Sequence, residues 1–303
     1  MTGGLLLAAY ALAAGFGAPA ALCRNWAQRS PRIAIGLWLT LAASWIAAVP
    51  LAGLTLLTPL SLTWQASSGR AAGNPGGTPA AVAGMTLAAA IILRASFHVA
   101  SGLARARREH RAHAAFLAAA GRPDQALNAV ILDDDAPAVY CLPRGRRRVV
   151  ISTGALSRLG PGQMQAVLAH ERAHLRGHHH LILAVAAALA RAFTAVPLLA
   201  RAAAELAVLA EMAADDAATR RHHPADLAAA LVTLASAGSR ATALTAGGPA
   251  AIARIQRLLA PPPKPGLPVR TARLAAGAAA LAVPALIACL PLVIAACDVI
   301  ARG

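Results

Sequence analysis

His170-Glu171-Arg172-Ala173-His174 sets two imidazoles four residues apart with a carboxylate beside the first. On a helix, residues i and i+4 share a face, so both rings can offer a nitrogen to one metal ion while Glu171 reaches a water next to it. This is the H-E-x-x-H spacing, in which two histidines hold zinc and the glutamate moves protons. A surface helix with a polar His/Glu/Arg face is the plainer reading, and His178, His179 and His180 show that histidine clusters here in any case. The surrounding residues decide between the two.

Upstream, Ala138 to Leu142 and Arg148 to Ser152 read as short strands joined by Pro143-Arg144-Gly145-Arg146-Arg147, a hairpin with a basic tip. Gly160 and Pro161 open the helix that carries the motif, and Gly177 closes it. Val167, Leu168 and Leu175 supply its buried side. The strand around Val149-Val150-Ile151 is the candidate to receive a substrate backbone as an added strand.

Catalytic zinc takes three protein ligands and keeps one position open. In Ala210-Glu211-Met212-Ala213-Ala214-Asp215, Glu211 and Asp215 again lie one helical turn apart. Glu211 is the candidate third ligand. Asp215 is placed to accept the free ring N–H of a ligating histidine and fix its tautomer. An exposed acidic helix end is the alternative, in a chain with only 12 acidic residues. With Zn²⁺ bound, these residues permit peptide hydrolysis with Glu171 as proton acceptor and donor, and no serine or cysteine nucleophile is required.

Composition sets the environment. Hydrophobic residues make up 58% and charged residues 13% of the chain, and mean hydropathy is +0.58, the balance of a membrane protein. Gly3 to Leu22, Ile33 to Leu57 and Leu274 to Cys297 are each long enough to span a bilayer, and Ala80 to Leu103 is a fourth, with Arg94 and His98 placed to snorkel. The first span is expected to be an anchor rather than a removed signal. Arginine dominates the net charge of +16, and Lys264 is the only lysine. Arg24, Arg29 and Arg32 in the first loop, against Arg70 alone between Thr58 and Pro79, put the first loop inside. Arg105, Arg107, Arg108 and Arg111 after the third span then place the motif in the cytoplasm. Aromatic residues are only 3%, too few for base stacking, so no nucleic-acid binding is expected. Cys23, Cys141, Cys289 and Cys297 lack CxxC spacing, which argues against a disulfide framework or cysteine zinc site.

Leu181 to Ala200 cannot cross the membrane once if Glu211 is to meet His170, so it reads as an amphipathic or membrane-grazing helix that Pro197 ends or kinks. His178 to His180 read as a polar collar at the interface rather than extra metal ligands. Arg144, Arg146, Arg147 and Arg148 read as contacts to lipid headgroups, and Asp133-Asp134-Asp135 as a solvated turn. Arg254 and Arg257 are expected to face water or headgroups. The proline-rich Ala260 to Val269 reads as a stiff connector to the last span.

The fold class expected is a mainly α membrane protein of about four transmembrane helices with a cytoplasmic α+β zincin-like domain and a small β-hairpin or sheet. Its parts are a membrane region over 1–103, the metal-binding domain over 104–260, and a linker with a final span over 261–303.

AVLAHERAHLRGHHH (166–180) preceded by the basic hairpin and STGALSRL (152–159), then EMAADDAA (211–218) and AAIARIQRLL (250–259), resembles the M56 family of integral-membrane zinc metallopeptidases, relatives of the BlaR/MecR antibiotic sensors. More distantly it resembles the M48 family. The resemblance covers about Ala138 to Leu259. It implies zinc at His170, His174 and Glu211, catalysis by Glu171, support from Asp215, and a cytoplasmic repressor of the BlaI/MecI type as substrate. In the antibiotic sensors a penicillin-binding domain follows the last span, and here only about Asp298 to Gly303 follow, so no β-lactam sensor is expected. A non-catalytic zinc-binding protein that signals by contact with a regulator is the alternative. A transporter would show paired repeats, and none is seen. Lipid and a protein substrate are the partners expected, and the small-residue faces of the spans leave a homodimer open.

Overall fold

The computed structural model describes residues 2–22, 26–57, 77–143, 149–236, 248–263 and 265–300. The tip arginines 144, 146, 147 and 148, and the outer loop over 58–76, lie outside the described residues.

The chain begins with α1 (Thr2–Leu12), which passes through a π-helical turn (Ala13–Gly17) into α2 (Ala18–Leu22). A short α3 (Trp26–Arg29) leads to α4 (Pro31–Leu57) and then α5 (Gly77–Ala120). Among the described residues, four helical stretches are long and apolar enough to cross a membrane: Gly3–Ala20, Pro31–Leu56, Val82–Ala120 and Leu267–Cys289. Each overlaps one of the four spans expected, with ends that differ. The 44 residues of α5 extend about 66 Å at 1.5 Å per residue, roughly twice the hydrocarbon thickness of about 30 Å. One unbroken helix therefore runs through the residue 103/104 boundary, longer than a single crossing requires.

After α5 come β1 (Gly121–Asp124), β2 (Ala129–Leu132), β3 (Val139–Cys141) and β4 (Val149–Ser152). The sheet order is β1-β2-β4-β3, with β2 parallel to β4 and the other pairs antiparallel. β3 and β4 form the hairpin expected. β4, however, is an interior strand with all four residues buried, so it has no free edge to offer a substrate; β3 has one. His113 Nε2 lies 2.8 Å from the Tyr140 hydroxyl, tying α5 to that edge. Asp133, Asp134 and Asp135 are exposed, as a solvated turn should be.

The rest is helical: α6 (Thr153–Arg158), α7 (Pro161–Arg176), α8 (His179–Ala192), α9 (Pro197–Ala218), α10 (Pro224–Ser236), α11 (Gly248–Leu259) and α12 (Leu267–Ile300). Ser152 caps α6, its hydroxyl accepting from Ala155 N–H at 3.0 Å. Leu267 to Val269, expected in the connector, are already helical because Pro268 is tolerated in a first turn.

Leu181 to Ala200 is two helices, not one. Pro197 neither ends nor kinks α8; it opens α9, and the chain reverses over Phe193–Val196. The resulting hairpin packs against α4. Phe193 meets Trp45 edge to face at 5.5 Å between centroids, and Trp45 lies fourteen residues beyond Pro31 on α4, about 21 Å along the axis. The reversal thus sits beside the middle of a candidate span. Val196 N–H donates to Phe193 O at 3.0 Å. Arg94 does not simply snorkel, since its Nε donates to Ala192 O at 2.6 Å and caps α8.

Two cores result. One joins α1 and α4 to the first half of α9, with Trp38, Leu198, Leu199, Leu206 and Leu209 buried. The other packs the sheet on α7, α10 and α11 through Ile151, Leu168, Leu227 and Leu258. Residue 211 lies past the membrane-side core on α9, and there the site forms.

Candidate metal centre

α7 starts where Gly160 N–H donates to Gln163 Oε1 at 3.1 Å with Pro161 in the first turn. Val167 and Leu168 are buried as expected, while Leu175 is half-buried. Arg172 projects backward and donates to Leu127 O at 2.8 Å, locking the helix to the β1–β2 loop. The opposite face carries His170 and His174, whose Nε2 atoms are 3.0 Å apart.

α9 brings Glu211 to them. Its Oε2 is 3.5 Å from His170 Nε2 and its Oε1 is 3.3 Å from His174 Nε2. Zinc bound at about 2.0–2.2 Å in a tetrahedron holds its ligand atoms roughly 3.3–3.6 Å apart, and one ligand atom from each of the three residues lies within 4.8 Å of the others, close enough to gather round a single ion. Among the described residues these three form the cluster able to hold a metal. Asp215 Oδ1 lies 2.9 Å from His170 Nδ1, on the far side of that ring from the metal position. Nε2 of His170 is thus the ring nitrogen that faces the His174–Glu211 cluster, and Asp215 sits where a group orienting the ring would sit.

Three residues not expected in the site join it. Arg254 is 5% exposed rather than facing water. It donates to Asp215 through Nε at 2.9 Å and a terminal nitrogen at 2.8 Å, and its other terminal nitrogen is 2.8 Å from Glu211. A chain this poor in acidic groups buries an arginine only against carboxylates, and the amphipathic pattern of Ala250 to Leu259 was the available signal. Arg257 is likewise drawn inward, to Asp216 at 2.8 Å and Gln28 O at 3.0 Å. His179 is buried, not part of a collar, and its Nδ1 is 2.9 Å from His174 Nδ1. It stands to His174 as Asp215 stands to His170. A Cβ on Gly177 would lie 2.4 Å from the His179 ring, which explains the glycine there. Cys141 on β3 lines the same cavity as Glu171, and burial together with the Glu171 charge raises its thiol pKa.

Burial penalises charge throughout, and neighbours decide the outcome. Burial disfavours the His170 cation, but Asp215 and Glu211 outweigh it and raise its pKa to about 10. His174 falls to about 3, through burial and the adjacent His170 charge. Burial works against Glu211 too, yet His170 and Arg254 hold it down to about 2, and the same neighbours depress Asp215. Glu171 is different. Burial and Glu211 push it up to about 7 despite His170, which suits a group that must take and return a proton at neutral pH.

These residues line a cavity of about 260 Å³, closed on one side by Val139, Tyr140 and Cys141 of β3 and on another by Leu183, Leu227, Leu231 and Leu234. The model of Peptidase family M48 matches residues 103–241. That stretch is similar to a zinc metallopeptidase. It contains His170, Glu171, His174, Glu211 and Asp215 but not Arg254, and the likeness found is to the more distant of the two families named above. The curated proteins and the solved structures give no match.

Proposed function

We propose that this protein is a membrane-embedded zinc endopeptidase that cuts extended peptide segments on the cytoplasmic side. The observation that carries the reading is the pair of ring nitrogens 3.0 Å apart with the two Glu211 oxygens at 3.3 and 3.5 Å from them and Glu171 next to His170 in the same cavity. His170, His174 and Glu211 would hold the zinc, which when bound would polarise a carbonyl and lower the pKa of a water towards neutral. Glu171 takes the water's proton and returns it to the leaving amine, while Asp215 and His179 keep the two imidazoles aligned.

β3 supplies the substrate track. Ser152 N–H donates to Ala138 O at 2.9 Å, so in the alternating antiparallel pattern Val139 and Cys141 turn their backbone N–H and C=O away from β4. A peptide laid along that edge pairs with them and passes Glu171, with the leucine wall receiving apolar side chains.

The cytoplasmic address rests on arginine placement, and the packing supports it. Arg257 bonds Gln28 O, so the first loop and the domain, both assigned inside by their arginines, adjoin. A repressor of the BlaI/MecI type is the substrate that the M56-like sequence stretches suggest, in a signalling role. The decisive test is metal analysis of the purified wild type beside His170→Ala and Glu211→Ala. One zinc per chain, lost in both variants, is expected; zinc kept in both overturns the reading.

A further inference from the structure

A second cavity, of about 780 Å³, lies behind α7, on the side away from Glu171. Arg32, Arg172, Arg176, Arg220 and Arg221 line it, His179 and His222 add to them, and no carboxylate does. Among the described residues none of the five arginines forms an ion pair. Asp216, beside it in sequence, is taken by Arg257. The cavity's inner wall is apolar, with Ile35, Ile182, Ala173 and Ala213.

Like charges gathered round one space repel, and in a chain of 28 basic and 12 acidic residues the counter-charge must come from outside. Guanidinium forks match phosphate oxygens. The volume is that of a small-molecule site, within about 300–1,000 Å³, and larger than a bare phosphate needs. Its position names the source. Arg32 is the second residue of the candidate span Pro31–Leu56, at the level where lipid headgroups lie, and the apolar wall continues from that helix.

We propose that this cavity binds a phosphate-bearing anion, presented as the headgroup of an acidic phospholipid. Arg176, Arg220 and Arg221 are exposed and take no part in the metal centre, so they can be changed without touching it.

The test uses the full chain in mixed micelles, comparing retained phosphatidylglycerol with phosphatidylcholine by lipid extraction, and thermal unfolding with each lipid or with millimolar inorganic phosphate. Wild type should prefer phosphatidylglycerol by about tenfold or more. R176Q/R220Q/R221Q should lose that preference to within about twofold. R105Q/R108Q/R111Q, which removes as much charge from the exposed part of α5, should keep it. Stabilisation of wild type, but not of the cavity variant, by inorganic phosphate as strongly as by lipid would support the cavity with a soluble ligand. An undiminished preference in the cavity variant, or an equal loss in the α5 variant, overturns the proposal.

Discussion

Arg254 grips Asp215 with two nitrogens, at 2.9 and 2.8 Å, while a third reaches Glu211 at 2.8 Å. One cation therefore braces both the carboxylate offered to the metal and the carboxylate that orients His170. Removing one partner from such a buried arrangement costs about 3–5 kcal/mol. Arg254→Met should lower the melting temperature markedly and weaken zinc binding about 10–100-fold, with Arg254→Lys in between. Calorimetry and zinc titration measure both. Wild-type values in Arg254→Met would show that the brace does nothing.

Glu171→Gln separates catalysis from metal binding. The amide has nearly the same shape but cannot take a proton, so peptide cleavage should fall about 10²–10⁴-fold with zinc content unchanged. Preserved cleavage would make the protein something other than a Glu171-dependent peptidase.

The metal-free protein should lose stability as pH rises. His170 titrates near 10 when folded, above the ordinary histidine value of 6.5. Its contribution is then complete below about pH 6.5 and lost as pH climbs towards 10. Glu171 acts in the same direction over a lower window. Its folded value of about 7 exceeds the ordinary 4.5, so the protonated form's advantage disappears between those values. Glu211, depressed to about 2, contributes above its unfolded value and loses that only in strong acid. Zinc competes with the proton on His170, so zinc-loaded protein should show a flatter stability profile from pH 6.5 to 10. Equal slopes with and without zinc would count against His170 as a ligand.

Val139→Pro should impair substrate binding more than folding. The Val139 N–H points to the open edge of β3, so proline there deletes a donor to the substrate and leaves the β3–β4 ladder intact. KM should rise about tenfold, equivalent to one lost hydrogen bond of roughly 1.4 kcal/mol, with little change in melting temperature. An unchanged KM for peptide substrates would mean that β3 is not the track.

What the sequence made legible was local. His170 with His174, and Glu211 with Asp215, are one turn apart on their own helices, so helical periodicity alone put each pair on one face. The long apolar runs disclosed the spans in the same way. Arg254 and His179 were misread because their roles depend on partners brought together by tertiary packing. Arg254 is 39 residues from Asp215, and His179 joins His174 only because the chain turns tightly at Gly177, with His178 at φ 50°. Strand order was hidden for a similar reason: pattern gave β3 and β4 but not β2, whose parallel pairing with β4 moved the free edge to β3.

The α8–α9 hairpin makes assembly of the metal centre conditional. Glu211 is delivered by a helix whose first half is buried among α1 and α4, so the third ligand arrives only with the folded bundle. On the function proposed above, the sequence-local half of the site, His170 with His174, forms within one helix, while its completion by Glu211 waits on the packing of α9 against α1 and α4.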